Sequence, residues 1–263
     1  MAPAPLITLL TDFGTQDAYV GIMKGVIAQI CPQARVIDLT HDLSPQDLLA
    51  ARFNLLTAYP YFPAGTIHVA VVDPGVGTAR RGVVIQTEEG MLVGPDNGIF
   101  SGILATRPGI AGVSLTQTDY WRTGRPSTTF HGRDIFAPVA AHLAKGVPIS
   151  ALGDPIELKS LTVLEIPAVV QEGDRVRGSV QHCDRFGNLI TNLTPEHLPS
   201  EPWQAQLGEH VLPSAQTYGD VLPGQPLALI GSHGWLEISV NGGSAEQRFQ
   251  ARVGMPIWVQ PRG

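Results

Sequence analysis

The chain has 263 residues, a net charge of -6 and no run rich in lysine or arginine, so a nucleic-acid footprint is excluded: the acidic balance repels a phosphate backbone. That length allows one large domain or two ordinary ones, each with a real core. Cys31 and Cys183 are too few for a disulfide framework and form no CxxC pair, which fits a reducing, cytoplasmic setting, and no apolar run reaches the roughly 18 residues of a membrane span.

Met1 to Pro5 lacks a basic segment and Leu6 to Leu10 is too short for a signal core, so no export is expected. Leu6 to Leu10 instead reads as a strand, ending in Thr11-Asp12-Phe13-Gly14. After Asp17, a candidate N-cap, Val20, Met23, Ile27 and Ile30 recur at helical spacing up to Cys31-Pro32. Val36 to Leu39 is the next strand. Ser44-Pro45-Gln46-Asp47 then supplies an N-cap, a proline at the first helical position and an acid at the third, opening a helix through Leu56.

Ile67 to Val72 reads as a buried strand that stops at Asp73-Pro74-Gly75-Val76-Gly77. Two strands that end in an acid and a glycine converge when they share a sheet, at the carboxyl edge where open α/β sheets bind ligands. Arg80 can return a positive charge to Asp73. Arg80 also stands where a dinucleotide fingerprint needs glycine, so a Rossmann pyrophosphate site is not expected.

Gly82 to Thr87 and Met91 to Val93 are further strands around Glu88-Glu89-Gly90, followed by the turn Gly94-Pro95-Asp96-Asn97-Gly98. Thr128 to Asp134 directly precedes a helix from Ile135 to Lys145, and His131 at its N-terminus is biased toward the neutral form unless a carboxylate such as Asp73 comes near. Pro148 to Pro167 reads as a connector. Beyond it, Val176 to His182, Leu189 to Leu193, Leu227 to Ile230, Trp235 to Val240 and Ile257 to Val259 are short strands divided by Gly and Pro. The expected fold is therefore an α/β N-terminal domain, 1–165, with a mostly parallel central sheet flanked by helices, plus a smaller all-β C-terminal domain, 166–263.

Six segments in one order, Thr11-Asp12-Phe13-Gly14, Val72 to Gly77, Pro95 to Gly98, Phe130 to Asp134, Asp184-Arg185-Phe186-Gly187-Asn188 and Asn241-Gly242-Gly243, make the whole chain resemble the S-adenosyl-L-methionine (SAM) hydroxide adenosyltransferases, or SAM hydrolases, relatives of the fluorinase and chlorinase enzymes. The resemblance implies hydrolysis of SAM to adenosine and L-methionine by water attacking ribose C5′. No metal or other cofactor is implied, SAM being the substrate. It also implies a homotrimer whose active sites lie at subunit interfaces, and no nucleic-acid or membrane partner.

Carried over position by position, the resemblance makes Asp73, Arg80 and His131 the catalytic group. Asp73 would accept a hydrogen bond from the water, Arg80 would hold that carboxylate, and His131 would orient the water or receive its proton. Asp12 resembles the acceptor of the two ribose hydroxyls, a pairing suited to a vicinal diol. Asp17, Phe186 and Asn188 resemble further ribose and adenine contacts, and the backbone around Asn241 and Gly242 resembles the adenine reader. Asp184 and Ser232 resemble the methionine site, with His233 where halogenases carry Arg.

The alternatives are a SAM-dependent halogenase, a metal-dependent hydrolase using Asp12, Asp73 and His131, and a SAM-binding protein without turnover. An ionised Asp73 opposes the first, because it would repel a desolvated halide. The absence of HExxH or tight His/Asp spacing opposes the second.

Overall fold

The computed structural model describes residues 4–200 and 202–262; Met1 to Pro3, part of the stretch read as lacking export features, lie outside them. Two compact units divide the chain, Met1–Leu164 and Glu165–Gly263.

The first unit holds one sheet of β1 (Leu6–Thr11), β2 (Arg35–Thr40), β3 (Thr66–Val71), β4 (Gly82–Gln86), β5 (Gly90–Pro95), β6 (Ala111–Leu115) and β7 (Gly153–Pro155), in the order β2-β1-β3-β5-β4-β6-β7. It is mixed, which corrects the mostly parallel sheet expected from the sequence. β2, β1, β3 and β5 run parallel to one another, while β4 is antiparallel to β5 and β6, and β6 to β7. Only Thr87 to Glu89 separate β4 from β5. A hairpin can close across so short a turn, whereas a parallel return needs a crossover of about a dozen residues or more. β7 lies inside the stretch read as a connector.

Helices cover both faces of this sheet: α1 (Tyr19–Ile30), α2 (Leu48–Ala58), α3 (Ser101–Thr106) and α4 (Ala137–Ala144). Because strand side chains alternate, Leu9, Val69 and Val71 pack with Met23, Ile27 and Val139 of α1 and α4, while Leu10, Ala70 and Val72 pack with Leu55 and Ile103 of α2 and α3. Each such large apolar side chain contributes about 1.5–3 kcal/mol on burial, which fixes the strand register and so the positions of the strand ends.

Two helix starts differ from expectation. α1 is flanked by Ala18, with no side-chain cap, so Asp17 does not cap it. α2 is capped by Asp47, whose side chain accepts from the Ala50 N–H at 2.9 Å; Ser44 lies too early because Gln46, at φ 67°, interrupts any helix between them.

The second unit contains β8 (Val170–Glu172), β9 (Arg175–Cys183), β10 (Leu189–Thr191), β11 (Trp203–Leu207), β12 (His210–Pro213), β13 (Pro226–Ile230), β14 (Leu236–Val240) and β15 (Pro256–Pro261). These strands pair in the order β12-β11-β15-β9-β10-β14-β13, with β8 on β9, and every strand pairing is antiparallel. A bridge between Ser214 and Ala228 brings the two ends together, so the sheet nearly closes around Val180, Leu189, Leu236 and Ile257. The unit is not all-β. Ser244 accepts from the Gln247 N–H at 3.1 Å and so caps a short helix, α5 (Ala245–Phe249), which anchors itself through buried Ala245.

Candidate active site

β1 and β3 are parallel neighbours with Thr11 paired to Val71, so the acids that follow, Asp12 and Asp73, emerge at the same edge. A cleft of about 330 Å³ opens there, lined by Asp12, Gln46, Asp73, Phe130 and His131 among others. Phe13, Tyr19 and Phe130 meet edge to face, with ring centroids 5.2–5.9 Å apart, and form an aromatic flank.

Arg80 returns to Asp73 as its spacing suggests. Its Nε donates to Oδ1 at 2.9 Å and Oδ2 at 3.0 Å, and its Nη2 donates to Oδ2 as well. The Asp73 side chain is 5% exposed and that of Arg80 11%, so the pair is strongly shielded from screening by solvent. The guanidinium also lies over the Phe136 ring, 5.2 Å from its centroid.

The Nη2 of Arg80 reaches His131 Nδ1 at 2.9 Å. Arginine carries donors only, so Nδ1 must be the acceptor and a neutral His131 carries its proton on Nε2. Burial, then the Arg80 charge, push the His131 pKa below its ordinary value, and Asp73 and Asp134 oppose them more weakly. The three residues thus form one connected chain, carboxylate to guanidinium to imidazole.

Two contacts bring the distant segments together. Gly77, at φ 76°, lies so close to the Thr128 carbonyl that a Cβ there would sit 2.3 Å from its oxygen. Only glycine allows this approach. His131 opens a π-helical turn, Gly132–Phe136, in which Asp134 is fully buried. Its carboxylate accepts from Arg122 Nε at 2.7 Å, from Arg133 Nε and Nη2 at 2.7 Å, and from the Ser127 N–H at 2.8 Å. Burial alone would raise its pKa, but these donors hold it well below the carboxylate range. Asp134 therefore ties down the loop that delivers His131, a task its place in the sequence motif did not disclose.

Asp12 Oδ2 accepts the Gln46 N–H at 2.7 Å, and among the described residues no hydrogen bond engages its other oxygen. The sequence pattern predicts a helical Gln46; its left-handed backbone instead aims that N–H at Asp12. Asp17 is exposed and does not line the cleft. Among the described residues no group of three His, Cys, Asp or Glu side chains is placed to hold a metal ion.

The SAM hydroxide adenosyltransferase N-terminal domain model matches residues 7–153 and the corresponding C-terminal domain model matches residues 178–258. The chain belongs to this family. It is 42% identical over 246 residues to an (R)-S-adenosyl-L-methionine hydrolase of Salinispora tropica, spanning 93% of this chain and 94% of the relative. A fluorinase of Actinopolyspora mzabensis is 25% identical over 291 residues, spanning 97% of each. A solved structure of a conserved protein from Thermotoga maritima superposes with a TM-score of 0.90 at 36% identity, covering 97% of this chain and 100% of that one.

The remaining site residues suggested by the resemblance to SAM hydroxide adenosyltransferases lie in the second unit. Asp184 accepts from the N–H groups of Phe186 at 2.9 Å and Asn188 at 2.8 Å and from Asn188 Nδ2 at 2.9 Å, so its loop is self-bonded. Phe186 is 78% exposed at the tip, while Asn188 is buried. Ser232 and Gly242 are exposed, and Asn241 donates to the Val221 carbonyl at 2.8 Å.

His233 is held by contacts within its own loop and strand. Its Nδ1 accepts from the Trp235 N–H at 3.2 Å and its Nε2 meets Glu237 Oε2 at 3.2 Å. These two contacts fix the imidazole ring, Nδ1 as acceptor and Nε2 as donor. Buried Glu237 further accepts from Tyr218 Oη at 2.8 Å and Ser239 Oγ at 2.6 Å. Burial, then Glu237 and Asp184, push the Tyr218 phenol up to about 12, so it stays a donor.

Proposed function

We propose that the protein hydrolyses S-adenosyl-L-methionine to adenosine and L-methionine, with water attacking ribose C5′. The observation that carries this reading is a buried, guanidinium-held carboxylate sharing a cleft with a histidine whose donor face is Nε2–H. Family membership and the hydrolase names of relatives support it.

The reaction forms a C5′–O bond as the C5′–S bond breaks, and the bonding pair goes to sulfur. Departure neutralises the sulfonium, so no acid is needed on the leaving side. The protein has to hold one water in line and draw its proton away. Asp73 accepts a hydrogen bond from that water and takes its proton as the C5′–O bond forms, later passing it to solvent; Arg80 fixes the carboxylate, and His131 Nε2–H hydrogen-bonds to the water oxygen and orients it. The Nδ1 contact with Arg80 argues against His131 as the proton acceptor, because proton uptake at that atom would break the contact and place two cations together.

Asp12, through the oxygen that Gln46 does not engage, takes the ribose diol. Asp17, Asp184, Phe186, Asn188, Ser232, His233, Asn241 and Gly242 complete substrate binding, those of the second unit in a homotrimer whose sites lie at subunit interfaces; the family resemblance supports this part. A cytoplasmic location is supported by a count of only two cysteines with no CxxC pair.

Asp73→Asn tests the assignment. The shape is kept and the charge removed, so SAM should still bind in calorimetry while adenosine release falls by roughly two to four orders of magnitude, the usual worth of acid–base assistance. Normal turnover by this variant would remove Asp73 from the mechanism. Assaying wild type with chloride present checks the halogenase reading, for which 5′-chloro-5′-deoxyadenosine is the diagnostic product. Parallel assays of the two sulfonium epimers show whether the R configuration in the relatives' name extends to this chain.

A further inference from the structure

Two arginines stand side by side after the cleft loop, yet only one meets Asp73. β4 and β5 pair antiparallel with Gly82 opposite Pro95, and the ladder runs one rung further, where the Asp96 N–H donates to the Arg81 carbonyl at 2.9 Å. Adjacent residues on an extended strand point to opposite sides, which sends Arg80 toward Asp73 and Arg81 toward Asp96. Arg81 Nε and Nη2 donate to Asp96 Oδ2 at 2.9 and 2.5 Å. The Asp96 side chain is 6% exposed, and its Oδ1 also accepts the Thr162 N–H at 2.8 Å. Arg81 Nη2 donates in addition to the Ser160 carbonyl at 2.8 Å.

The next residue in the same turn grips the other end of the loop. Asn97 Nδ2 donates to the Val72 carbonyl at 2.8 Å, immediately before Asp73. The turn thus holds the residue preceding Asp73 and the residue following Arg80.

We propose that Asp96 is a positioning residue that selects the register of the Asp73–Arg80 pair by capturing Arg81. A strand slip of one residue would present Arg81 to Asp73 and turn Arg80 away, since one step reverses every side chain. The buried Asp96 carboxylate disfavours that alternative, because slippage would leave it without its guanidinium. Asn97 fixes the fixed end against which this register is set. The inference rests on the reading of Asp73, Arg80 and His131 as the reacting centre, and extends it to a residue that lines no part of the cleft.

The experiment compares wild type, Asp96→Ala, Arg81→Ala and the double variant, each as the full chain. Two readouts are taken: steady-state release of adenosine from SAM, and the Nε–H resonance of Arg80 by NMR, which needs no turnover. Asp96→Ala should lower kcat about tenfold to a hundredfold, the scale of a misplacement near 1 Å, with KM changed less than about twofold, and should average or broaden the Arg80 signal. Removing Arg81 in that background removes the competitor, so the double variant should regain both the signal and kcat relative to Asp96→Ala. A double variant no better than Asp96→Ala, or an Asp96→Ala protein with unaltered kcat and Arg80 resonance, overturns the proposal. If Asp96→Ala fails to fold, Asp96→Asn keeps an acceptor for Thr162 but weakens the hold on Arg81; an unchanged Arg80 signal there overturns it too. Wild type that releases no adenosine would instead refute the hydrolase reading, while the resonance comparison still decides the register claim.

Discussion

His131 shows how one contact distance assigns a proton. Arg80 can only donate, so its 2.9 Å approach to Nδ1 puts the proton of the neutral ring on Nε2. With the pKa lowered by burial and by Arg80, the neutral form persists below the ordinary value of 6.5. Activity should therefore hold through neutral pH and decline on an acid limb whose midpoint lies below 6.5, as protonation at Nδ1 breaks the Arg80 contact. His131→Gln should shift or remove that limb in a pH–rate profile of kcat, and a limb centred above 6.5 would oppose the assignment. Sequence placed His131 at a helix start and biased it toward the neutral form unless a carboxylate such as Asp73 came near; the Arg80 charge, from 51 residues away, outweighs that carboxylate and sets the tautomer.

At the scale of elements, the site depends on loops held by contacts that no pattern announces. Gly77 follows Asp73 in the loop after β3, and its meeting with the Thr128 carbonyl joins two segments far apart in the chain. Gly77→Ala should cost about 1–3 kcal/mol through strain at positive φ, and should lower kcat as the Asp73 and His131 loops part. Thermal unfolding and kinetics on the same sample check both effects; an unshifted Tm with normal turnover would show that the approach is dispensable. Within β3, His68 is buried against Thr8, whose Oγ1 lies 2.9 Å from Nδ1, and burial lowers its pKa to about 4. The unfolded chain, with a value near 6.5, binds this proton first. The contribution, on the order of 3 kcal/mol, is thus fully present above pH 6.5 and is lost as pH falls toward 4. His68→Gln should flatten the loss of stability across that window in denaturant titrations, whereas an unaltered slope would assign the acid sensitivity elsewhere.

Across the whole molecule, strand positions were legible because apolar runs such as 67–72 and alternating runs such as 176–182 report burial directly. Strand direction was not, because it depends on connection geometry: the β4–β5 hairpin makes the first sheet mixed. β11 and β12 carry little sequence signal: Trp203 to Leu207 alternates up to the Gly208 turn, but over only five residues with small Ala205 at its centre. Asp12, Asp73, Arg80 and His131 were legible as strand-end acids, a seven-residue return and a motif. The contacts of Gln46, Asp134 and Asp96 were not: Gln46 reaches Asp12 across 34 residues, and no spacing rule singles out the partners of Asp134 or Asp96 from the other nearby arginines.

Assembly can be measured by light scattering on the eluting protein, where a trimer mass is expected and a monomer at working concentration would contradict the proposed shared sites. The central claim is that a carboxylate steers solvent oxygen onto the ribose carbon beside sulfur. Incubating the protein with SAM in water enriched in heavy oxygen, and weighing the adenosine formed, reads that step directly. Heavy oxygen should appear in the 5′-hydroxyl of adenosine, with methionine unlabelled; label in methionine, or adenosine carrying oxygen from another source, would contradict the account.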